Sequence, residues 1–284
     1  MTKRLLLRGL LSGAIAGLLA VLFARIFAEP VIGRAIDYQA GREAAQAALD
    51  KAAGRPVYPV QPEVFSRTLQ ANLGIGVGLI LFGAAMGTLF SVVYTLCLGR
   101  TGNLRPRTLA VLVALGGLVA VFLVPFLKYP ANPPAIGHED TLGSRTGLYL
   151  MMLVASIVSL GLAVWLGRKL QTRFGNWNAG LVAGAAFVVA IGIVMILLPD
   201  LGMLATNVQE YGAHATETPL PLTNAKGAIV FPGFPANDLY EFRLFSVGSQ
   251  VVLWSAIGLI FAPLAERLLR PGGKRPSNRE NATV

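Results

Sequence analysis

The sequence has few of the residues on which soluble proteins and enzymes usually depend. It contains 1 cysteine and 2 histidines in 284 residues, and only 13% of its residues are charged. Because Cys97 stands alone, an internal disulfide is excluded. The sequence also lacks the Gly-x-Ser-x-Gly, His-Glu-x-x-His and Walker A patterns. We therefore expect neither an enzyme, nor a bound cofactor, nor a nucleotide-driven motor.

Long apolar runs take the place of those residues. Hydrophobic residues make up 54% of the chain and fall in uncharged blocks. A block of about 20 apolar residues spans a hydrocarbon core about 30 Å thick. Inside the membrane a helix satisfies its own backbone hydrogen bonds. A closed β-barrel would also do so, but the strict alternation of apolar and polar residues that it requires is absent. The sequence predicts an all-α integral membrane protein, a bundle of about six transmembrane helices with Pro-rich outer loops.

The predicted spans divide the chain into one membrane domain with three outer loops. The six apolar blocks cover residues 9–27, 73–98, 108–127, 147–167, 179–199 and 245–264. The first outer loop covers 29–70 and includes an Ala-rich surface helix over Arg34–Ala53. The other outer loops cover 128–146 and 200–243, and residues 271–284 are predicted to be a disordered basic tail. We interpret the first block as an uncleaved anchor, because no small-x-small cleavage site follows it.

The net charge of +10 comes from basic residues placed beside the apolar blocks, where they indicate membrane topology. Lysines and arginines cluster at both termini and in the short segments after the second and fourth blocks. The positive-inside rule makes this face cytoplasmic, which predicts a multi-pass protein of the inner (plasma) membrane with both termini in the cytoplasm. The lipid bilayer is then the expected partner of these cations, and nucleic acid is not.

Acidic residues show the opposite distribution. Of 14 acids, only Glu266 and Glu280 fall on the predicted cytoplasmic face, and both histidines lie with the remaining acids on the outer face. The acids either solvate the outer loops or gather cations there. The spans themselves contain no histidine and no acid, so a pathway through this chain alone would be poorly lined. A partner subunit or a homo-oligomer is implied.

Two outer segments repeat the tripeptide Pro-Ala-Asn after an aromatic residue, ending at Asn132 and Asn237. Proline restricts the backbone, and asparagine commonly caps a helix or forms a turn. The structural interpretation is therefore a pair of turns. The functional interpretation is a folded vestibule whose Asn132 and Asn237 amides line an entrance, since irregular backbone at membrane depth is tolerated where it lines a cavity.

The first of these segments also contains the candidate metal ligands. His138, Glu139 and Asp140 are consecutive, and an imidazole with carboxylates suits Co, Ni, Zn or Fe. Because consecutive residues of an extended chain point in opposite directions, the tripeptide cannot supply a full coordination shell. The additional ligands would come from the next outer loop, where His214, Glu217 and Asp238 are candidates, or from another chain. Alternatively, Asp140 or the threonine after it caps the following helix while its neighbours are solvated.

Glycines four residues apart predict close helix packing. The pattern occurs at Gly9-Gly13-Gly17, at Gly83-Gly87 and at Gly180-Gly184. Without Cβ atoms, helix backbones can approach closely in lipid. The tryptophans, including Trp165 and Trp254, are expected at membrane interfaces.

These features together resemble the CbtA family. The resemblance rests on the basic start leading into Glu29-Pro30, on the segment Phe126–Gly137 (FLKYPANPPAIG), and on Phe-Pro-Ala-Asn followed by Phe242-Arg243-Leu244. It covers nearly the whole chain. Members are described as cobalt transporter subunits, typically accompanied by CbtB, a small one-span protein with histidines near its end.

The resemblance implies a membrane subunit for uptake of a divalent metal, cobalt above all, captured at the outer face. Many members carry a His-rich acidic stretch in the first outer loop, whereas residues 29–70 here contain no histidine. Metal capture would then rest on His138 and the acids. The alternative is a scaffold that does not transport and whose outer loops bind another protein.

Overall fold

The computed structural model describes residues 1–57, 66, 69–102, 104–213 and 216–269. The predicted tail over 271–284 lies outside these residues, as does His214. Within them, 5 helical segments are long and apolar enough to cross a membrane: Thr2–Ala52, Asn72–Cys97, Pro106–Lys128, Glu139–Glu210 and Ala236–Leu269. The prediction of an all-α membrane protein is confirmed at this level.

The first segment is almost continuous. Helix α1 (Thr2–Phe23) passes through a π-helical turn (Ala24–Ala28) into α2 (Glu29–Ala52), which ends just before Gly54. Pro30 lies in the first turn of α2, where a ring without an N–H breaks the regular α-helical hydrogen bonding. The helix predicted over Arg34–Ala53 therefore falls within α2 and extends the first span directly.

Two further spans contain π-helical turns. One turn (Gln70–Gly74) precedes α3 (Ile75–Cys97). The other (Leu118–Leu123) joins α4 (Pro106–Gly117) to the short α5 (Val124–Lys128), and these three elements form one segment.

Helix α6 (Leu142–Leu197) contains both blocks predicted at 147–167 and 179–199. Gly175 interrupts it with φ 72° and ψ 171°, a conformation that favours glycine. The two halves turn back on each other, because Gly167 packs against Ala183 and because Met152 shares a buried cluster with Ile191. The element is therefore an antiparallel helical hairpin with its tip at Gly175.

The remaining elements form the last outer segment and the final span. Helix α7 (Ala205–Tyr211) is followed by a small antiparallel hairpin of β1 (Leu222–Thr223) and β2 (Ile229–Phe231). Helix α8 (Ala236–Leu269) then returns across the bundle.

The main core lies among α1, α3, α4 and α8. Tyr94 and Phe261 are fully buried there and meet edge to face, with ring centroids 4.9 Å apart. Trp254 is also buried, and its ring lies against Gly117 where a Cβ would collide with it. The interface position expected for Trp254 is therefore wrong, because its helix turns the indole towards α4.

Two of the predicted glycine stripes face each other in a close helix contact. Gly13 of α1 lies against the backbone of Gly83 and Gly87 of α3, and a Cβ at any of the three would collide with the facing helix. Gly180 and Gly184 show the same spacing, yet a Cβ at either would meet open space in the described part of the chain. Equal spacing thus corresponds to a helix contact in one case and an open helix surface in the other.

Candidate functional site

The second and third outer loops are joined by a buried polar cluster. Asn132 donates from its side-chain amide to the Glu217 carbonyl at 3.2 Å and accepts from Arg243 at 3.0 Å. Arg243 also donates to the Thr216 hydroxyl at 3.2 Å and to the Ala131 carbonyl at 3.2 Å. Asn132 is therefore held at both ends of its amide between the two loops.

A buried ion pair lies at the centre of the cluster. The Glu217 side chain is 0% exposed, and its carboxylate is 3.1 Å from Arg145. Asn207 donates to the other carboxylate oxygen at 2.6 Å and to the Leu201 carbonyl at 2.7 Å. Gly137, with φ 135°, leaves the space that the Arg145 guanidinium occupies, since a Cβ there would lie 2.8 Å from its nitrogen. Arg145 and Asn207 thus contact both oxygens of a carboxylate that is removed from water, while Glu217 Oε2, Arg145 Nε and Asn207 Oδ1 have no hydrogen-bond partner among the described residues.

A second set of contacts ties the start of these loops together. The Lys128 ammonium lies 2.6 Å from the Asp200 carboxylate, and the Tyr129 hydroxyl donates to the Pro199 carbonyl at 2.9 Å. Burial raises the pKa of Tyr129, and the charge of Asp200 raises it further. The outer ends of α5 and α6 are thereby held side by side.

His138 lies at the edge of the buried cluster. It precedes a 3-10 turn (Glu139–Thr141), and its Nδ1 accepts a hydrogen bond from the Asp140 N–H at 3.2 Å. Its Nε2 contacts the carboxylate of Glu210 in α7. The His138 side chain is 16% exposed and that of Glu210 is 48% exposed, so water reaches the pair. His138 therefore caps the 3-10 turn, whereas Thr141, at the N-cap position of α6, makes no side-chain capping bond, so the predicted helix cap at this position is wrong.

The other predicted ligands are placed differently. Glu139 and Asp140 are exposed beside His138, and an Asp140 carboxylate oxygen lies 4.0 Å from His138 Nδ1. Asp238 is not brought to them, because the Arg34 guanidinium holds its carboxylate at 2.7 Å. Among the described residues, no group of three or more His, Cys, Asp or Glu side chains could hold a metal ion.

The two predicted entrance asparagines are not equivalent. Asn132 is bonded within the buried cluster, whereas Asn237 is exposed in the first turn of α8. The polar segment shared by the two loops is therefore centred on the first Pro-Ala-Asn and not on both.

Sequence reasoning missed three of the residues that build this site. Glu210, Asn207 and Arg145 hold His138 and Glu217 in place. Glu210 had a weak signal, since it lies four residues before the candidate ligand His214 in the sequence. Arg145 and Asn207 had none, because their partners are distant in sequence and meet through irregular backbone.

A separate cavity of about 210 Å³ lies at the outer ends of the first two spans. Its lining includes Arg25, Glu29 and Asn72, and two of the π-helical turns border it. Because it contains both a cation and an anion, it lacks the one-signed field that concentrates metal ions.

These features define a class: a polytopic helical membrane protein with a closed polar assembly on its outer loops. A family model described as probable cobalt transporter subunit (CbtA) matches residues 2–266. The chain belongs to the CbtA family, and a role as a transporter subunit follows from that membership. Searches of curated proteins and of solved structures return no match.

Proposed function

We propose that this chain captures cobalt, or another divalent metal ion, at the outer face as the first step of uptake. The observation that carries the proposal is the contact between His138 Nε2 and the Glu210 carboxylate at the water-accessible edge of the outer loops. An imidazole nitrogen next to a carboxylate oxygen is a ligand pair suited to borderline divalent metals.

Metal capture would replace the proton between the two side chains. A metal on Nε2 requires the imidazole proton to move to Nδ1, which then can no longer accept from the Asp140 N–H. The Asp140 carboxylate lies 4.0 Å from Nδ1, and a side-chain rotation that brings it about 1 Å closer would let it accept this proton. Metal-bound histidines commonly donate their second N–H to a carboxylate, which orients the ring.

The remaining ligands are proposed from the residues nearby. Glu139 is exposed next to the pair, and His214 follows Glu210 by four residues in the chain. Asp238, bound to Arg34, would contribute to the outer negative field without direct coordination. Asn132 would shape the entrance through its bonds to both loops, and Asn237 would line its rim.

The finer topology is part of the same proposal. A hairpin at Gly175 divides α6 into two crossings, which would give six spans with both termini in the cytoplasm of the plasma membrane. The pathway beyond the capture site would be completed by a small one-span CbtB-like subunit or by a second copy of this chain. Two observations support a pathway completed by a second subunit: the family is described as a transporter subunit, and the spans contain few ionisable groups.

A second candidate is a scaffold subunit whose outer loops bind another protein. It is favoured by the closed state of the loops, in which the described residues hold no three-ligand metal group. In that case the buried cluster around Glu217 would hold the outer loops rigid, and the surface of these loops would bind the other protein.

Cobalt binding by the purified full-length chain tests the proposal. We expect saturable binding that is lost in His138→Ala and weakened in Glu210→Gln. Glu43→Gln, which removes an outer acid on α2, is the matched control and should bind like wild type. If the wild type binds no cobalt, or all variants bind equally, capture at His138 is wrong and the scaffold function is favoured.

A further inference from the structure

The tip of the α6 hairpin combines exposed aromatic rings with exposed cations. The Lys169 ammonium lies 5.1 Å from the centre of the Trp165 ring, and the Arg173 guanidinium lies 5.4 Å from that of Phe174. Trp165 is 58% exposed and Trp177 is 78% exposed. Amphipathic rings in this position are typical of a membrane–water interface.

The cations at this tip have no acidic counterpart in their own hairpin. No Asp or Glu occurs between Asp140 and Asp200, a stretch that includes Arg168, Lys169 and Arg173. Within the described part of the chain, Arg168 and Lys169 form no ion pair with a carboxylate from another element. Within the described residues, these exposed cations are therefore accessible to an anionic group of a bound molecule.

An open groove lies directly beneath these cations. It has a volume of about 430 Å³ and is lined by Gly161, Val164, Trp165, Arg168 and Lys169. These residues recur at helical spacing, so they share one face of α6. A Cβ at Gly161 would meet open space, which leaves a notch in the helix surface below the indole. The groove is thus apolar at its inner end and cationic at its mouth.

We propose that this groove binds an anionic phospholipid. The phosphate would lie between Arg168 and Lys169, the glycerol region against Trp165, and one acyl chain along Val164 and the notch at Gly161. Basic residues next to a membrane span attract anionic headgroups electrostatically. The site is distinct from the outer loops, and it does not depend on which ion the protein transports.

Native mass spectrometry of the purified full-length chain tests the site with phosphatidylglycerol and phosphatidylcholine as probes. We expect wild type to retain phosphatidylglycerol preferentially. Arg168→Gln/Lys169→Gln should lower that affinity by about 30-fold, since each cation near an anionic surface contributes about fivefold. Lys3→Gln/Arg4→Gln, which removes two exposed cations at the start of α1, is the matched control and should leave the affinity unchanged.

A second variant separates the acyl chain from the headgroup. Gly161→Leu fills the notch and keeps every charge, so it should reduce the retention of phosphatidylglycerol. In a separate competition experiment, excess inorganic phosphate should not displace the lipid. Brominated phosphatidylglycerol should quench the fluorescence of Trp165, and this quenching should be lost in Trp165→Phe. That result would place the lipid at the groove. Equal retention of both lipids by wild type, or unchanged retention in both groove variants, would overturn the proposal.

Discussion

Glu217 shows at the scale of one residue how the outer loops are held together. Its carboxylate is removed from water, and it is stabilised by an ion pair with Arg145 and a hydrogen bond from Asn207. A buried ion pair gains little over an apolar pair of the same size, but breaking one partner leaves an uncompensated charge. The pair therefore determines how the loops meet more than how stable they are.

Arg145→Met should consequently lower the free energy of unfolding by about 3–5 kcal/mol, because the Glu217 charge is left buried without a partner. Arg145→Met/Glu217→Leu should recover most of that loss. Denaturant unfolding of the purified chain in detergent measures both. Arg55→Met, which removes the surface partner of Asp50, is the control and should have no measurable effect. A single variant as stable as wild type would contradict this account of the pair.

Asp140 provides a second test at the residue scale. If its carboxylate accepts the Nδ1 proton of a metal-bound His138, Asp140→Ala should weaken cobalt binding by about 10-fold or more without abolishing it. Calorimetric titration with cobalt measures the change. Glu43→Gln serves again as the charge control. An unchanged affinity in Asp140→Ala would remove Asp140 from the site.

At the scale of elements, apolar length was sufficient to predict long apolar helices, whereas the contacts between them were not predictable. The spacing of glycines does not say which helix faces another, so Gly13 and Gly180 read alike in the sequence. The same limit applies to Trp254, whose position along a helix says nothing about the direction of its ring. His138 and Glu210 meet through irregular loops, and neither periodicity nor turn chemistry predicts such a contact.

Alanine substitutions should therefore have opposite effects at two glycines with the same sequence pattern. Gly13→Ala forces a Cβ into the α3 backbone and should destabilise the fold by about 1–3 kcal/mol or more. Gly180→Ala adds a Cβ in open space and should be neutral or stabilising by up to about 1 kcal/mol, because alanine favours helix. Thermal unfolding in detergent, followed by circular dichroism, distinguishes the two. Equal effects would mean that the contact between α1 and α3 is not the one described.

At the scale of the whole molecule, the sequence predicts that charge separates the two faces of the protein. Only two of the 14 acids, Glu266 and Glu280, fall in the segments that carry the basic clusters, while the predicted outer loops carry the others. The asymmetry is predicted from where lysine and arginine fall along the chain, because their positions set the topology. How the outer loops close on each other had to come from the structure.

Cysteine labelling tests the proposed topology. In a Cys97→Ala background, Asn176→Cys at the hairpin tip should react with an impermeant maleimide only after the cells are opened. Glu139→Cys should react in intact cells, since the proposal places it outside. Labelling of both positions from the same side would exclude a hairpin that crosses the membrane twice.

Cobalt accumulation in cells most directly tests the central claim, that the outer loops capture the transported metal. The chain is expressed together with a CbtB-like one-span subunit, as wild type or as His138→Ala/Glu210→Gln, at equal abundance in the membrane. We predict accumulation above empty cells for wild type, and a loss at low external cobalt for the double variant. Equal accumulation by the two, or none above empty cells by either, would contradict the account.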